Sequence, residues 1–354
     1  MPPVVFLRAC LSAGGAPRDP SLLSLLFANH TSTMTVDTFP RLVGDVGGTN
    51  ARFAWIASPC ADVSDVATYP CANYPTLQDA MKQYLSDHAK PVPVWGSIGI
   101  ANPVLGDHVQ MTNHDWSFSI KAVQQNIGMS RFLVINDFTA LALSLPALAP
   151  DQLRQVGPGA PVVGWPLGLL GAGTGLGVSG LLPAMAGHNA IPINGEGGHV
   201  TLAAANPLET QVIDRLRERF GHPSAERALS GPGLSNLYDA LVQIHGETLP
   251  TLSASEITAR IDSDPRCTQV IDVFFSLLGS VAGNLALTLG ARGGMYIGGG
   301  IVPRLGARID SSTFRERFES KGRFRGYLSQ IPTFVIEGAT SPALIGAARA
   351  LEDL

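Results

Sequence analysis

The sequence predicts an α/β protein built from two related halves. Residues 42–56 and 167–182 both consist of an apolar strand, a glycine-rich turn and a second apolar strand. The two turns align when Gly44 is laid on Gly171, which favours an internal repeat of one supersecondary unit. Further buried strands end in polar residues and lead into helices, an alternation that is typical of α/β folds.

Length and composition limit the class of protein. The chain has 354 residues, 45% of them hydrophobic, which is enough for two domains. Charged residues make up 15% and the net charge is −4, which argues against binding to nucleic acid. The four cysteines form no CxxC motif and no Cys/His pair at zinc-binding spacing. We therefore expect a reduced, cytoplasmic protein without structural zinc.

One apolar run, residues 270–289, is long enough to raise the question of a membrane span. Asp272, Asn284 and two glycines interrupt it, and polar residues of this kind are rare inside a membrane-spanning helix. The run is therefore predicted to form a buried helix in the core, and no contact with a membrane is expected.

The N-terminal segment, residues 1–33, carries no clear fold signal. Its start lacks the basic residues, compact apolar block and small-residue cleavage site of a secretory signal. Met34 lies just before the first predicted strand. Either a disordered extension or a wrongly assigned start codon would explain residues 1–33.

The glycine-rich turns are candidate phosphate-binding sites. The first is "GDVGGTNAR" (44–52) and the second lies within "GAGTGLGV" (171–178); neither continues into the Gly-Lys-Ser/Thr of a Walker loop. Free backbone N–H groups of such a turn can point at one anion, and no side chain blocks its approach. Two turns that face each other across a cleft would hold the phosphates of ATP, with Asp45 placed to hold Mg²⁺ through water. The alternative is a pair of ordinary glycine-rich hairpins.

Polar residues at the end of the predicted strand "FLVI" form the candidate catalytic group. The carboxyl ends of buried strands are where open α/β sheets place ligands. Asp137 can accept a proton from a substrate hydroxyl while Asn136 orients the substrate. The alternative is an Asx cap on the helix that is predicted to follow.

Two further segments carry candidate sugar-binding side chains. "NGEGGHV" presents Glu196 and His199 from a loop whose glycines allow close approach, and sugar hydroxyls need partners that accept and donate hydrogen bonds. The alternatives are a surface histidine or a weak metal-binding pair. "SAERALSGPG" adds Glu226, for which the alternative is the capping box of a helix.

An ordered series of segments, from about residue 41 to about residue 347, closely resembles bacterial ATP-dependent glucokinase. The segments are "LVGDVGGTNAR", "INDFTA", "GAGTGLGV", "GEGGHV", "AERALSGPGLSNLY", "GGMYIGGGIVPR" and "FESKGRF". The glycine turns alone would indicate only the wider actin-like and hexokinase-type ATPases. No cysteine-rich motif follows "GEGGHV", so the resemblance is to the zinc-free glucokinases.

The resemblance implies an α/β fold of two ribonuclease-H-like (actin-like ATPase) domains with a central active-site cleft. It divides the chain into an N-terminal extension (1–40), a small α/β domain (41–147 with 338–354) and a large α/β domain (148–337). It also implies a homodimer.

A role for each candidate residue is implied as well. Glucose is held by five residues, of which Asp137 is the general base on the sugar 6-hydroxyl: Asn136, Asp137, Glu196, His199 and Glu226. ATP is bound by both turns, with Mg²⁺ at Asp45, through these residues: Gly44, Asp45, Val46, Gly47, Gly48, Thr49, Gly173, Thr174 and Gly175. The segments "SGPG" and "GGGIVP" would line the adenosine pocket.

The function that follows is ATP-dependent phosphorylation of D-glucose to glucose 6-phosphate. A kinase for another hexose, mannose or fructose, would use the same machinery and differ in which sugar hydroxyls it pairs. A non-catalytic sugar sensor would bind glucose without turnover, and loss of Asp45 or Asp137 would be its usual mark. Both residues are present.

Overall fold

Two mixed β-sheets, each begun by one of the glycine-rich units, organise the chain. The computed structural model describes residues 37–337 and 342–353. Residues 1–36, which include Met34 and most of the predicted extension, lie outside the described residues, so that expectation stays a prediction.

The first sheet has five strands in the order β3-β2-β1-β4-β7. Strands β1, β2 and β3 pair antiparallel with one another, whereas β4 pairs in parallel with β1 and β7 pairs in parallel with β4. The elements of this half are β1 (Arg41–Val46), β2 (Asn50–Ile56), β3 (Ser64–Pro70), α1 (Leu77–Asp87), β4 (Trp95–Ile100), β5 (His108–Gln110), β6 (Ser117–Ser119), α2 (Ile120–Ile127), β7 (Arg131–Asn136) and α3 (Asp137–Ser144).

The second sheet has six strands in the order β11-β10-β9-β12-β13-β8. Its elements are β8 (Leu153–Val156), β9 (Leu167–Ala172), β10 (Leu176–Leu182), β11 (Ile191–Gly195), α4 (Pro207–Phe220), α5 (Gly231–Ile244), α6 (Ala254–Ala259), α7 (Pro265–Leu289), β12 (Gly294–Gly298), α8 (Ile301–Leu305), α9 (Arg308–Ser311), α10 (Phe314–Glu319), α11 (Arg325–Leu328), β13 (Thr333–Ile336) and α12 (Pro342–Asp353).

The two sheets share one strand plan. In each, an antiparallel meander of three strands (β1–β3, then β9–β11) is extended by two parallel strands, and the glycine-rich turn joins the meander's first two strands. The predicted repeat and the α/β class are therefore confirmed. The sequence reading missed the separate β5–β6 hairpin and the antiparallel edge strand β8, because both are too short to show a clear apolar period.

The long apolar run forms the core helix of the second half. Helix α7 is long and apolar enough to cross a membrane, but 78% of its most apolar window is buried inside the protein. Its first turn is capped by the Asp264 side chain, and Gly290 ends it in the left-handed conformation, with φ of 61°. The prediction of a buried core helix for residues 270–289 is confirmed.

Helices α3 and α12 cross at very close range. A Cβ atom on Gly346 in α12 would overlap the carbonyl oxygen of Ala140 in α3. The opposite face of α12 packs through Leu344 and Ala347 on Val43 of β1. Residues from Phe39 onward form one compact unit, and the predicted division into a small and a large domain stays a prediction.

We expect Gly346→Ala to destabilise the protein, although alanine favours a helix over glycine by about 1 kcal/mol. The added methyl group has no room beside Ala140, and overpacking of this kind costs about 1–3 kcal/mol or more. Gly326→Ala in α11 is the matched control, because a Cβ there meets nothing within 4 Å. Urea denaturation measures both variants. A Gly346→Ala protein as stable as the control would contradict the close crossing.

Candidate active site

The side chain of Asn136 caps α3 and also holds Asp137. Its Oδ1 accepts hydrogen bonds from the N–H groups of Phe138 (2.9 Å) and Thr139 (3.2 Å), and its Nδ2 donates to Asp137 Oδ1 at 3.0 Å. Asp137 Oδ1 also accepts from Phe138 N at 2.9 Å. Asn136 therefore takes the cap role, and Asp137 Oδ2 has no hydrogen-bond partner in the part of the chain that the structure describes.

The surroundings of Asp137 make it a stronger base than an ordinary carboxylate. Burial raises the pKa of Asp137 from 3.8 to about 6, and the negative charge of Asp45 adds to the rise. The hydrogen bonds from Phe138 N and Asn136 work in the opposite direction. A carboxylate with this pKa is still ionised at neutral pH but holds a proton more firmly, as a general base requires.

The three glycines of the first turn have different reasons to be glycine. A Cβ on Gly44 would lie 2.7 Å from Ile98 Cγ2 in the sheet, and one on Gly48 would lie 2.7 Å from the carbonyl oxygen of Asn113. Gly47, by contrast, has only Asn50 O at 3.7 Å from its Cβ position. Packing therefore explains Gly44 and Gly48, and only Gly47 is open enough to suggest that the approach of a ligand needs a glycine.

Both turns present unused N–H groups. The N–H of Gly47 closes the first turn on Asn50 O at 2.9 Å, and the N–H of Gly173 closes the second on Gly175 O at 2.8 Å. The next amides along each turn donate no hydrogen bond to any described residue: Gly48, Thr49, Thr174 and Gly175. Pairs of free, adjacent amides in a turn are suited to bind an anion.

Asp45 lies beside the first turn, opposite Arg52 in the β1–β2 ladder. Its Oδ2 and Arg52 Nη1 are 3.4 Å apart, and both side chains are partly exposed. Asp45 pairs with Gly99 of β4, and a Cβ on Gly99 would lie 3.5 Å from Asp137 Cα, so Asp45 and Asp137 lie close together. Val46, the next residue, is buried in the sheet, whereas Thr49 is exposed at the turn.

A loop that the sequence reading missed joins the first turn to Asn136. Asn102, directly after β4, is 8% exposed; its Oδ1 accepts from Thr112 N at 3.0 Å and its carbonyl accepts from Asn136 Nδ2 at 3.5 Å. Asn113, which follows Thr112 in this loop, places its carbonyl oxygen 2.7 Å from the Cβ position of Gly48. Its position at the end of a strand could have indicated Asn102, because β4 runs parallel to β7 and Ile100 pairs with Asn136.

Glu226 braces the second glycine turn. Its Oε2 accepts from Leu176 N at 2.9 Å and would lie 2.5 Å from a Cβ on Gly175. Glu226 lies in a short 3₁₀ turn and does not form the capping box that was the alternative. The segment "SGPG" then begins α5, with Ser230 as the N-cap.

A cavity of about 1000 Å³ opens beside the second turn. Residues of both "SGPG" and "GGGIVP" line it, together with residues of α6 and with Arg304, Leu305 and Arg308, which the sequence reading had not placed there. The lining includes Gly173, Thr174, Gly231, Gly300, Arg304 and Arg308.

Glu196 and His199 lie in an exposed loop directly after β11. Both residues are exposed, and their side chains make no hydrogen bond with the described residues. Packing explains the glycines between them: a Cβ on Gly197 would lie 2.7 Å from Val178 Cγ1, and one on Gly198 would overlap Leu176 O. The glycines therefore fix the loop on β10 and do not themselves indicate a ligand.

One hydrogen bond ties this loop to the helix of Asp137. Thr139 Oγ1, on the first turn of α3, donates to Asn194 Oδ1 at 2.7 Å. Asn194 precedes Glu196 by two residues, and Thr139 follows Asp137 by two. The structure thus brings the loop of Glu196 and His199 to the same helix end that carries Asp137.

No group of three or more His, Cys, Asp or Glu side chains that could hold a metal ion occurs within residues 37–337 and 342–353. Mg²⁺ usually keeps several waters and takes one or two carboxylates together with substrate phosphates. The Asp45 carboxylate, with Asp137 nearby, fits that donor set, so Asp45 suits an ion that arrives with a nucleotide.

Comparison with known proteins adds independent information. The profile of the family described as Glucokinase matches residues 42–354. A glucokinase of Aromatoleum aromaticum is 54% identical over 320 residues, covering 90% of this chain and 96% of that protein. The crystal structure of a glucokinase from an Antarctic psychrotroph superposes with a TM-score of 0.81 at 35% identity, covering 89% of this chain and 99% of the other.

A more distant structure shares the fold alone. It is a ROK family glucokinase from Streptomyces griseus in complex with glucose and AMPPNP, with a TM-score of 0.59 at 17% identity, covering 88% of this chain and 99% of the other. Together these likenesses confirm the predicted fold class, the α/β fold of the actin-like ATPases.

We expect Asp137→Asn to stabilise the folded protein at about pH 8. The folded-state pKa of Asp137 is about 6 against 3.8 ordinarily, so the stability of the acid form is present below pH 3.8 and is lost as the pH rises through 6. Asparagine does not ionise, and its Oδ1 can accept the same two hydrogen bonds. The gain is at most about 3 kcal/mol above pH 6 and vanishes near pH 4. Urea denaturation across this range measures it, and a pH-independent difference would contradict the raised pKa.

Proposed function

The chain belongs to the glucokinase family, and from that premise we propose that it transfers the terminal phosphoryl group of ATP to the 6-hydroxyl of D-glucose. The observation that carries the proposal is Asp137. Its carboxylate is held at the first turn of α3, one oxygen is free, and its pKa is raised to about 6. The names of the relatives and the glucose and AMPPNP bound by the Streptomyces griseus protein support the substrates.

Asp137 acts as the general base in this proposal. The sugar 6-hydroxyl donates its proton to Asp137 Oδ2 as its oxygen bonds to the terminal phosphorus of ATP, and the bond from that phosphorus to the bridging oxygen breaks to release ADP. Positioning and charge neutralisation account for most catalysis in phosphoryl transfer. Asn136 contributes by holding Asp137 Oδ1, which keeps Oδ2 directed away from its own helix.

The remaining sugar hydroxyls are assigned to side chains with free hydrogen-bonding groups. Glu196 accepts and His199 either accepts or donates, and neither is used within the described residues. Glu226 commits Oε2 to Leu176 N, which leaves Oε1 for a hydroxyl. We also assign an orienting contact to Asn136, whose amide is already shared between the helix cap and Asp137.

The phosphates of ATP are assigned to the two turns. The unused N–H groups of Gly48 and Thr49 face one end of the phosphate chain, and those of Thr174 and Gly175 face the other. Gly44 and Val46 belong to this site as the strand that holds the first turn in place. Asp45 would hold Mg²⁺ through water, where the ion neutralises phosphate charge.

Two further features of the proposal concern the cell. We place the protein in the cytoplasm, and we infer a homodimer because the resemblance implies one. The described cysteines support a reducing compartment, because Cys60, Cys71 and Cys267 are all free thiols. The kinase for mannose or fructose remains the second candidate, since it would use the same Asp137 and the same turns.

We expect the purified protein to phosphorylate glucose with ATP, and to do so only with Mg²⁺ present. Mannose, fructose and N-acetylglucosamine are the comparison sugars, because a site that pairs a hydroxyl rejects analogues strongly. ADP release in a coupled assay, with and without a chelator, measures the preference. Preference for another sugar would replace the substrate, and glucose binding without turnover would favour the sensor.

We expect Asp137→Asn to lower kcat by at least about 100-fold, the usual contribution of a general base. Glucose binding should be nearly unchanged, because asparagine retains the acceptor for Phe138 N and Asn136 Nδ2. Asp151→Asn is the control, since Asp151 is exposed in the segment before the edge strand β8. Steady-state kinetics with calorimetric glucose binding separates the two effects, and near-normal turnover would remove Asp137 from the mechanism.

A further inference from the structure

The cavity beside the second glycine turn contains one arginine that has no partner. Among its described lining residues are Arg304 and Arg308 but no aspartate or glutamate. The Nη2 atom of Arg308 lies 2.6 Å from each carboxylate oxygen of Asp262, which neutralises its charge. Arg304 is exposed and forms no hydrogen bond or ion pair with any residue that the structure describes. The cavity therefore carries one uncompensated positive charge.

The contacts of three neighbouring glycines show that the Arg304 guanidinium lies near the start of the second turn. The guanidinium carbon and Nη2 of Arg304 lie 3.8 Å from the position that a Cβ on Gly300 would take. A Cβ on Gly299, the preceding residue, would overlap the backbone of Ala172, and a Cβ on Gly171 would lie 2.5 Å from Gly298. Because Ala172 directly precedes Gly173, the arginine head lies near the turn.

The free amides of the turn point to the same ligand chemistry. Thr174 and Gly175 carry unused N–H groups, and Thr174 lines the cavity together with Arg304. Unpaired amide donors and an unpaired guanidinium at one end of a cavity without carboxylates favour an anion with several oxygen atoms. The lining also includes apolar residues such as Leu234 and Ile261, which suit the uncharged part of a nucleotide.

We propose that Arg304 binds the phosphate groups of the nucleotide at the second glycine turn. By doing so it determines how strongly the protein prefers nucleoside di- and triphosphates over the unphosphorylated nucleoside. The inference rests on the proposed function, because it takes ATP as the phosphoryl donor. Arg304 acts through ground-state binding at the donor site and takes no part in proton transfer at Asp137, so its loss changes the KM for ATP more than kcat.

The experiment compares Arg304→Met, Arg304→Lys and the control Arg323→Met. Arg323 is exposed next to Phe324, outside the cavity lining, and its loss changes the net charge equally. Calorimetry gives the Kd of ATP, ADP and adenosine for each protein, and steady-state kinetics gives the KM for ATP, the KM for glucose and kcat.

For Arg304→Met we expect the Kd of ATP and ADP to rise by about tenfold or more, the effect of losing a hydrogen bond to a charged group. Adenosine binding and the KM for glucose should change by less than about twofold. Arg304→Lys keeps the charge but loses the planar fork, so it should recover part of the loss. Arg323→Met should match the wild type.

Two results would overturn the proposal. Equal losses for adenosine and ATP would mean that Arg304 contacts the base and not the phosphates. Unchanged Kd values for all three ligands would mean that Arg304 takes no part in nucleotide binding. A wild-type protein that binds ATP but does not phosphorylate glucose would reject the proposed function alone, since the Kd comparison would still decide the role of Arg304.

Discussion

The position of α3 is the constraint on which the rest of the site depends. This helix touches both sheets, and each contact lies close against a glycine of the sheet. Phe138 occupies the space that a Cβ on Gly177 of β10 would take, and Ala140 lies 3.0 Å from the Cβ position of Gly99 in β4. On a third side Gly346 of α12 meets Ala140. Because close-packed contacts deform little, the first turn of α3 has a fixed place relative to both glycine turns.

The chemistry of Asp137 follows from that placement. A helix start between two sheets is removed from water, which raises the pKa of the carboxylate, and Asp45 in the first sheet adds its charge. Two hydrogen bonds, one from the backbone of the same helix and one from Asn136, prevent a larger rise. The helix cap and the base are thus two parts of one arrangement, and the sequence reading treated them as alternatives for a single residue.

Local pattern sufficed to predict the repeat, the core helix and the two glycine turns, because each produces a long or distinctive apolar period. Such a pattern could not distinguish glycines that packing requires from glycines that allow a ligand to approach. At Gly44, Gly197 and Gly198 a strand that is remote in sequence leaves no space for a Cβ atom. A sequence pattern does not reveal such contacts. For the same reason the sequence did not indicate Asn102, and it indicated Glu226 only as a sugar-binding residue. Their bonds to Thr112 and Leu176 depend on the tertiary fold.

The two copies of the turn differ in a way that assigns them different tasks. The first copy places Asp45 where the second has Ala172, so the first turn presents a carboxylate and the second does not. Glu226 Oε2 is committed to Leu176 N at the second turn, and Thr174 of that turn lines the same cavity as Arg304. A carboxylate suits a cation that arrives with phosphate, whereas an arginine suits the phosphate itself. In the proposed function both copies of the strand–turn–strand unit bind phosphate through their amides, and the nearby side chains add a carboxylate at the first turn and an arginine at the second.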